Sequence, residues 1–356
     1  MDRPIRSLAL WNYHESLNRG FMLNNRNVTI GDDLLLPIVE LAKALEANGV
    51  RTATLDMMPD GEFDACLFID MPDMTNAQVK RAFASGKPLY LLALESPLVR
   101  PENGDPALHA PFARVFTYND ALVDGEKYVK VNYSFEIPQS LPKVAKEKLC
   151  VTIAGNKKPK VKGGCKELYS ERIRAIRWFE EHHPEDFDLY GVGWGRPQLK
   201  LSRVLNPFKL VKILNAPTYA TYRGTVERKR PVLSRYKFSI CYENVADVPG
   251  YITEKIFDCF FAGTVPVYLG AGNVTDHVPA DCFIDKRDFP DYPSLYRFLA
   301  ELSGERYYDY LAAIERFLQS DKAQAFTCRN FARVISGEIL NQGGREGEPL
   351  MSRTRE

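Results

Sequence analysis

The sequence predicts an α/β protein built from two doubly wound, parallel-sheet domains that face each other across a cleft. Three observations predict it. Short apolar runs alternate with amphipathic helical segments, and this happens twice along the chain. The apolar runs are continuous, as in strands buried on both faces. A proline- and lysine-rich stretch, "IPQSLPKVAKEK", breaks the alternation near residue 140. With 356 residues the chain has the length of roughly two domains.

In the first series, "SLALW" reads as a strand. "GDDLLLPIVELAKALEANG" reads as a helix, with Leu35, Ile38, Val39, Ala42 and Leu45 on one face and Gly49 as its stop. "RTATL" and "FDACLFID" follow as strands, "TNAQVKRAFASG" as a helix, and "PLYLLAL", "RVFTY" and "YVKV" as strands. In the second series "LCVTIAG", "FDLYG", "YKFSICYE", "VPVYLG" and "CFIDK" read as strands. Helices are expected at "CKELYSERIRAIRWFEEHH", "TEKIFDCFFAG", "YPSLYRFLAELS", "RYYDYLAAIERFLQS" and "DKAQAFTCRNFARVISGEIL". The expected units are therefore a first domain over 1–140, a second over 148–320, a C-terminal helix over 321–341 and a disordered tail over 342–356.

A net charge of +1 gives no global field for nucleic acid, so an anionic ligand must be met by local cations. The opening "MDRPIRSLALWNYHE" lacks a signal-peptide pattern, and "PLYLLAL" and "VPVYLG" are far too short to span a bilayer. A chain without a membrane anchor is expected. The seven cysteines are odd in number and form no C-x-x-C, which fits buried free thiols in a reducing compartment. His182 and His183 in "EEHHPED" do not converge on a metal, and "DFD" at 186–188 reads as a lead-in to its strand, so no metal is assigned.

In "YENVADVPGYITEK", an apolar strand ends in a loop holding Asn244, Pro249 and Gly250, and Thr253 is a candidate N-cap. Glu254 and Lys255 then fall in the first helical turn. A helix start beyond a strand's carboxyl end suits a phosphate, Lys255 adds a mobile cation, and Glu254 could accept from a ribose diol. A solvated lysine beside a dipole-favouring acid explains the same residues without a ligand. "AGNKKPKVKGGCKELYSERIRAI" supplies Asn156, Gly155, Gly163, Gly164 and four lysines before Lys166. On the helix after it, Arg172 could reach back to the cleft, whereas Arg174 and Arg177 read as a solvated face. "YGVGWGRP" is a weak dinucleotide signal, because Pro197 opposes a helix inside the glycine run. In "LALESPLVRPENG", Glu95 stands at a strand's carboxyl end with apolar neighbours, where partial burial would raise its pKa towards a base's range.

Taken whole, "YKFSICYENVADVPGYITEKIFDCFFAGTVPVYLG" resembles the signature of glycosyltransferase family 10, the α-1,3/1,4-fucosyltransferases. "HVPADCFIDKRDF", "AGNKK…SERIRAI" and "LALESP" resemble further segments of that family, so the likeness covers roughly residues 148–290 and, more faintly, 90–100. Tyr242 stands where the family usually has Phe, and "NVADVPG" departs from the usual spacer. The resemblance implies a GT-B fold with two Rossmann-like domains, GDP-fucose as donor substrate, no required cofactor or metal, and inversion at the anomeric carbon. It implies Glu254 on the ribose, Lys255 and Arg172 on the diphosphate, and Asn156, Asn244 and Tyr251 lining the donor site. Glu254 and Lys255 would face one ligand instead of pairing with each other. Arg223 would add a phosphate contact and Glu95 would be the general base. The acceptor would be an oligosaccharide or glycoconjugate, of the bacterial lipopolysaccharide, capsule or glycoprotein kind. The enzyme would be of bacterial type and cytoplasmic, peripheral at most at the inner face of the membrane. The alternatives are another GDP-deoxysugar donor on the same fold, or a non-catalytic nucleotide- or glycan-binding protein.

Overall fold

A computed structural model of the chain describes residues 4–26, 32–58, 62–157, 166–195 and 218–341. Lys158, Lys160, Lys162, Gly163, Gly164, Cys165, Pro197 and the expected tail over 342–356 lie outside the described residues.

The first sheet holds β1 (Ser7–Asn12), β2 (Arg51–Thr54), β3 (Ala65–Ile69), β4 (Leu89–Ala93), β5 (Arg114–Thr117) and β6 (Tyr128–Lys130). All pairings are parallel, in the order β2-β1-β3-β4-β5-β6. Helices α1 (Leu36–Glu46) and α2 (Ala77–Ala84) are among those that cover it. The continuous apolar runs are buried along their whole length in β3 and β4, as the sequence predicts for strands covered on both faces. Helix α1 begins later than its apolar pattern, because Asp33 is left-handed (φ 58°) and Pro37 sits in the first turn.

The second sheet holds β7 (Lys148–Ile153), β8 (Phe187–Tyr190), β9 (Tyr236–Tyr242), β10 (Val265–Leu269) and β11 (Ile284–Asp285), also all parallel, in the order β11-β10-β9-β7-β8. Its helices include α3 (Tyr169–His182), α4 (Glu254–Phe261), α5 (Tyr292–Glu301) and α6 (Gly304–Leu318). Each sheet reverses its winding once, at β1/β3 and at β7/β9. In open parallel sheets, ligands bind beyond the carboxyl ends of the strands at such points.

The chain crosses between the domains twice. Phe135 N–H donates to Phe326 O at 2.8 Å, and Cys328 N–H donates to Phe135 O at 3.0 Å, so the two crossings are bonded to each other. The segment expected as one helix from residue 321 is broken at Ala325–Thr327 into a short turn, Asp321–Gln324, and α7 (Cys328–Asn341). Helix α7 returns to the first domain, where Phe331, Ile335 and Ile339 share a core with Ile38, Leu41 and Leu45 of α1. Burying each such side chain contributes roughly 1.5–3 kcal/mol.

The described cysteines are buried free thiols. Among the described residues, no helix is long and apolar enough to cross a membrane.

A seam of specific contacts fixes the two domains. Asp120, from the first domain, takes Lys130 Nζ at 2.6 Å, Asn273 Nδ2 at 2.8 Å and His277 Nε2 at 2.7 Å. Tyr118 and Tyr133 pack on Tyr251 with ring centroids 5.0 and 6.2 Å away. Gly250 lies in the seam with φ 75°, and a Cβ there would come within 2.3 Å of Tyr118 O and 2.7 Å of Lys130 Nζ. Gly250→Ala is therefore expected to lower the melting temperature, through a backbone penalty of roughly 1–3 kcal/mol plus the clash. Thermal denaturation followed by circular dichroism checks this, with Gly86→Ala, an equally left-handed site in open space, as the comparison.

Candidate active site

Strand β9 ends at Tyr242, and Glu243, the next residue, is completely inaccessible to solvent. A buried carboxylate requires donors and a counter-charge. Glu243 accepts the Thr253 N–H and hydroxyl, each at 2.8 Å, and Lys255 Nζ at 3.0 Å. Gly270, just past β10, leaves room for it, since a Cβ there would lie 2.5 Å from Glu243 Cγ. Thr253 caps α4 as the sequence predicts, and Glu254 and Lys255 occupy the first turn.

Lys255 Nζ is not mobile. It also bonds Thr253 Oγ1 at 2.9 Å and stands 3.7 Å from Glu254 Oε1. The neighbouring acid and base therefore interact directly, contrary to the expectation that they face only a shared ligand. Glu254 has a second partner in Lys229 Nζ at 3.4 Å, which also holds Asp258 at 3.0 Å. Burial would raise the Glu254 carboxyl, but Lys255 and Lys229 outweigh it and hold the group well below the usual carboxylate range. Burial would lower the Lys255 ammonium, and Glu243 and Glu254 instead hold it above its ordinary value.

Arg172, buried on α3, donates Nη2 to the carbonyls of Tyr242 and Glu243 at 2.6 and 3.1 Å. Burial lowers its pKa from an already high value, so it remains a cation beneath the start of the loop. Asn244 begins that loop, and its Nδ2 lies 3.5 Å from the Tyr251 hydroxyl. Asn156 follows β7 at the switch point, with its N–H and Nδ2 bound to Val192 O and Gly193 O of the "YGVGWG" loop. Gly191 of that loop has φ 128° and touches Ala154 too closely for any Cβ, so these glycines serve close packing.

Glu95 comes from the other side of the cleft, two residues past β4. Burial and then Asp70 raise its pKa, while Lys157 and Lys255 of the second domain lower it and Glu254 raises it. The net direction is upward. Those influences come from residues after β7 and at the start of α4 in the second domain. Among the described residues, no hydrogen bond reaches that carboxylate.

Residues 201–333 match the family model described as glycosyltransferase family 10 (fucosyltransferase) C-term. The α-(1,3)-fucosyltransferase FucT of Helicobacter pylori is 29% identical over 113 residues, 31% of this chain and 23% of that protein. The α-(1,4)-fucosyltransferase of Arabidopsis thaliana is 33% identical over 117 residues, 32% and 29% of the two chains. The 4-galactosyl-N-acetylglucosaminide 3-α-L-fucosyltransferase 9 of Mus musculus is 40% identical over 99 residues, 26% and 27% of the two. Residues 201–333 thus resemble the C-terminal part of the family 10 fucosyltransferases. The matched stretch spans about a quarter of the length of these curated relatives.

Among solved structures, an α1,3-fucosyltransferase with GDP superposes with a TM-score of 0.53 at 13% identity, covering 95% of this chain and 91% of that one. Anabaena HepE in complex with UDP-glucose gives 0.53 at 12% identity, covering 94% and 99%. The fold of the chain is GT-B.

Of the eight residues singled out in the sequence, Asn244, Tyr251, Glu254 and Lys255 lie between the end of β9 and the first turn of α4, Arg172 bonds the carbonyls at the end of β9, and Asn156 and Glu95 follow β7 and β4. Arg223 is the eighth: its Nε is held by Asp188 at 2.6 Å beside the edge strand β8. Asp188 lies inside β8, buried, where it also takes Lys148 Nζ at 3.1 Å and the Tyr236 hydroxyl at 2.7 Å, so "DFD" is not merely a lead-in. Arg177 is likewise more than a solvated side chain, because its guanidinium packs over Tyr219 at 3.8 Å. His183, Glu185 and Asp186 lie close enough to share an ion, yet His183 stacks on Tyr296 and Asp186 accepts the Tyr296 hydroxyl.

Sequence reasoning missed Glu243, Lys229 and Asp70. A carboxylate directly after an apolar strand was the available signal for the first and the last.

Lys255→Ala would leave Glu243 buried and unpaired, at a cost of roughly 3–5 kcal/mol. Adding Glu243→Gln to Lys255→Ala is expected to recover much of that loss in urea or thermal unfolding. Equal stability of the single and double variants would remove Glu243 as the anchor of Lys255.

Proposed function

We propose that this chain transfers fucose from GDP-fucose to a hydroxyl of an acceptor glycan, with inversion at the anomeric carbon. The observation that carries the reading is Glu95 two residues past β4 of the first domain, its carboxylate unbonded among the described residues and under the electrostatic influence of Lys157, Lys255 and Glu254 of the second. Relatives named as α-1,3- and α-1,4-fucosyltransferases support fucose as the sugar.

In this reading Lys255 and Arg172 take the diphosphate, Glu254 the ribose hydroxyls, and Asn156, Asn244 and Tyr251 line the donor. Glu95 accepts the proton of the acceptor hydroxyl as its oxygen bonds to C1 of fucose. The C1–O bond to the diphosphate breaks on the opposite face, and GDP departs with the electron pair. The two cations stabilise the charge that develops on the leaving phosphate. Side chains supply this neutralisation, and GDP-fucose enters as a substrate, with no cofactor invoked. Arg223 is not given a role in it.

The acceptor would lie over the first domain, where a cavity of about 740 Å³ is lined by Trp11, Glu15, Arg19, Phe21 and Asp56. Aromatic and charged side chains of this kind suit a sugar. An oligosaccharide or glycoconjugate of a bacterial surface polysaccharide, met at the cytoplasmic side by a protein at most peripheral to the membrane, fits this reading.

The test is GDP release from GDP-fucose and other GDP-sugars against an acceptor array that includes 4-galactosyl-N-acetylglucosaminide. Glu95→Gln is expected to cut kcat by 10²–10⁴-fold, on the order of general-base catalysis, while GDP affinity by calorimetry stays within about twofold. The base works deprotonated and its pKa is raised. Activity should therefore fall as the pH drops through a value above the usual carboxylate range. Release by the unmutated protein with another GDP-deoxysugar alone would reassign the donor, and no release with any pair would leave a binding protein. Lys255→Ala is expected to weaken GDP binding at least tenfold, the scale of one charge-assisted contact; unchanged affinity would displace the diphosphate from this site.

A further inference from the structure

We propose that Asp70 and Asn103 are positioning residues that clamp the backbone of Glu95 from behind and so aim its carboxylate into the cleft. The inference rests on the reading of Glu95 as the base.

Asp70 is the first residue after β3 and has φ 60°, a left-handed conformation that costs a non-glycine residue roughly 1–3 kcal/mol and persists where its surroundings dictate it. Its side chain is buried. A single oxygen, Oδ1, accepts three donors: the N–H groups of Leu94 and Glu95, each at 2.8 Å, and Asn103 Nδ2 at 2.6 Å. Those two amides lie just beyond β4, where the parallel ladder to β3 has ended.

Asn103 completes the clamp. The same Nδ2 lies 3.0 Å from Glu95 O, and its Oδ1 accepts the Met71 N–H at 2.8 Å. Arg100 Nη2 donates to Met71 O. The N–H of Glu95 is thus held by Asp70 and its C=O by Asn103. Both ends of the residue are fixed while its carboxylate is left unbonded by the described residues. A base must sit within hydrogen-bond reach of the proton it takes, and a misplacement of about 1 Å can cost on the order of a hundredfold in rate.

The pair also has an electrostatic consequence. The groups facing Glu95 are Asp70 after β3, Tyr13 after β1, Tyr133 after β6, Lys157 after β7, Tyr169 at the start of α3, and Tyr251, Glu254 and Lys255 around the start of α4. Among these groups Asp70 acts most strongly on Glu95, and its carboxylate, itself raised in pKa by burial, favours the protonated form of Glu95. A scaffold that merely closed the loop would not depend on that charge.

The experiment compares Asp70→Asn, Asn103→Ala and Glu95→Gln with the unmutated protein. It reads GDP affinity by calorimetry and GDP release from GDP-fucose, with 4-galactosyl-N-acetylglucosaminide or water as acceptor. It also reads the Glu95 carboxyl titration by ¹³C NMR, assigned by its loss in Glu95→Gln. Asp70→Asn is expected to lower kcat ten- to a hundredfold with unchanged GDP affinity, and to move the Glu95 midpoint and the acid limb of the rate profile down by about one pH unit. Asn103→Ala is expected to lower kcat with its midpoint near that of the unmutated protein.

Unchanged kcat in both variants beside an inactive Glu95→Gln would overturn the inference and leave the base in place. Loss of GDP affinity in step with kcat would reduce the pair to scaffolding and overturn it too. Full turnover by Glu95→Gln, or none by the unmutated protein, would sink the underlying reading instead. If Asp70→Asn does not fold, Asn103→Ala decides: normal kcat in it overturns the clamp.

Discussion

The second domain's side of the cleft is organised around one buried negative charge, that of Glu243. Its carboxylate has no access to water and must find its donors in the chain. It finds them in Thr253 and Lys255, ten and twelve residues further on. The intervening loop must therefore return to the strand it left. That return carries Tyr251 into the aromatic cluster with Tyr118 and Tyr133, and Gly250 against Tyr118 O. One electrostatic requirement thus couples the end of β9, the start of α4 and the seam between domains. Such buried pairs are weak sources of net stability, so the geometry they enforce is the more substantial consequence here.

The same loop region is tied to the first domain by a second acid. Asp32, almost inaccessible, accepts the backbone N–H groups of Lys229 and Arg230 at 3.2 Å each and faces Arg228 Nε at 3.3 Å. Lys229 in turn holds Glu254 and Asp258 with its ammonium. A residue before α1 is therefore linked, through one lysine, to the acid in the first turn of α4. With Asp120 on Asn273 and His277, and α7 packed on α1, the relative placement of Glu95 and Glu254 is fixed at several points. A reaction that joins two substrates between two domains depends on that placement.

The local grammar of this fold was legible in the sequence. Apolar runs marked the strands, Thr253 marked a helix start, and the break near residue 140 marked the passage between domains. Asn244, Tyr251, Glu254 and Lys255 were legible as a group because they are neighbours in one long motif. What was not legible depends on contacts across the chain. Asp70 precedes Glu95 by 25 residues, and only the adjacency of β3 and β4 makes it a partner. Lys229 lies 25 residues before Glu254 and belongs to no apolar pattern. Arg223 reads as a free cation until β8 brings Asp188 to it. The amphipathic pattern of α7 shows that it packs on something, while only the topology shows that it packs on the first domain.

The anchoring of Lys255 alters how its role is understood. Read from the sequence, it is a flexible cation that would swing onto a phosphate. In the structure its ammonium is already held by Glu243 and Thr253, with Glu254 close by. A lysine fixed in advance does not have to be ordered when an anion arrives, and its charge is secured by carboxylates that hold its pKa up. The compensation has a limit, because part of its field is already neutralised by Glu243. Arg172 adds to that field: its hydrogen bonds are to carbonyl oxygens beneath the same loop, with the Glu243 carboxylate acting on it only at longer range. On the proposed function the two cations therefore divide the task, Lys255 giving a fixed contact and Arg172 the surplus positive potential. Fixed charge of this kind stabilises a departing diphosphate without reorganisation at the moment of transfer.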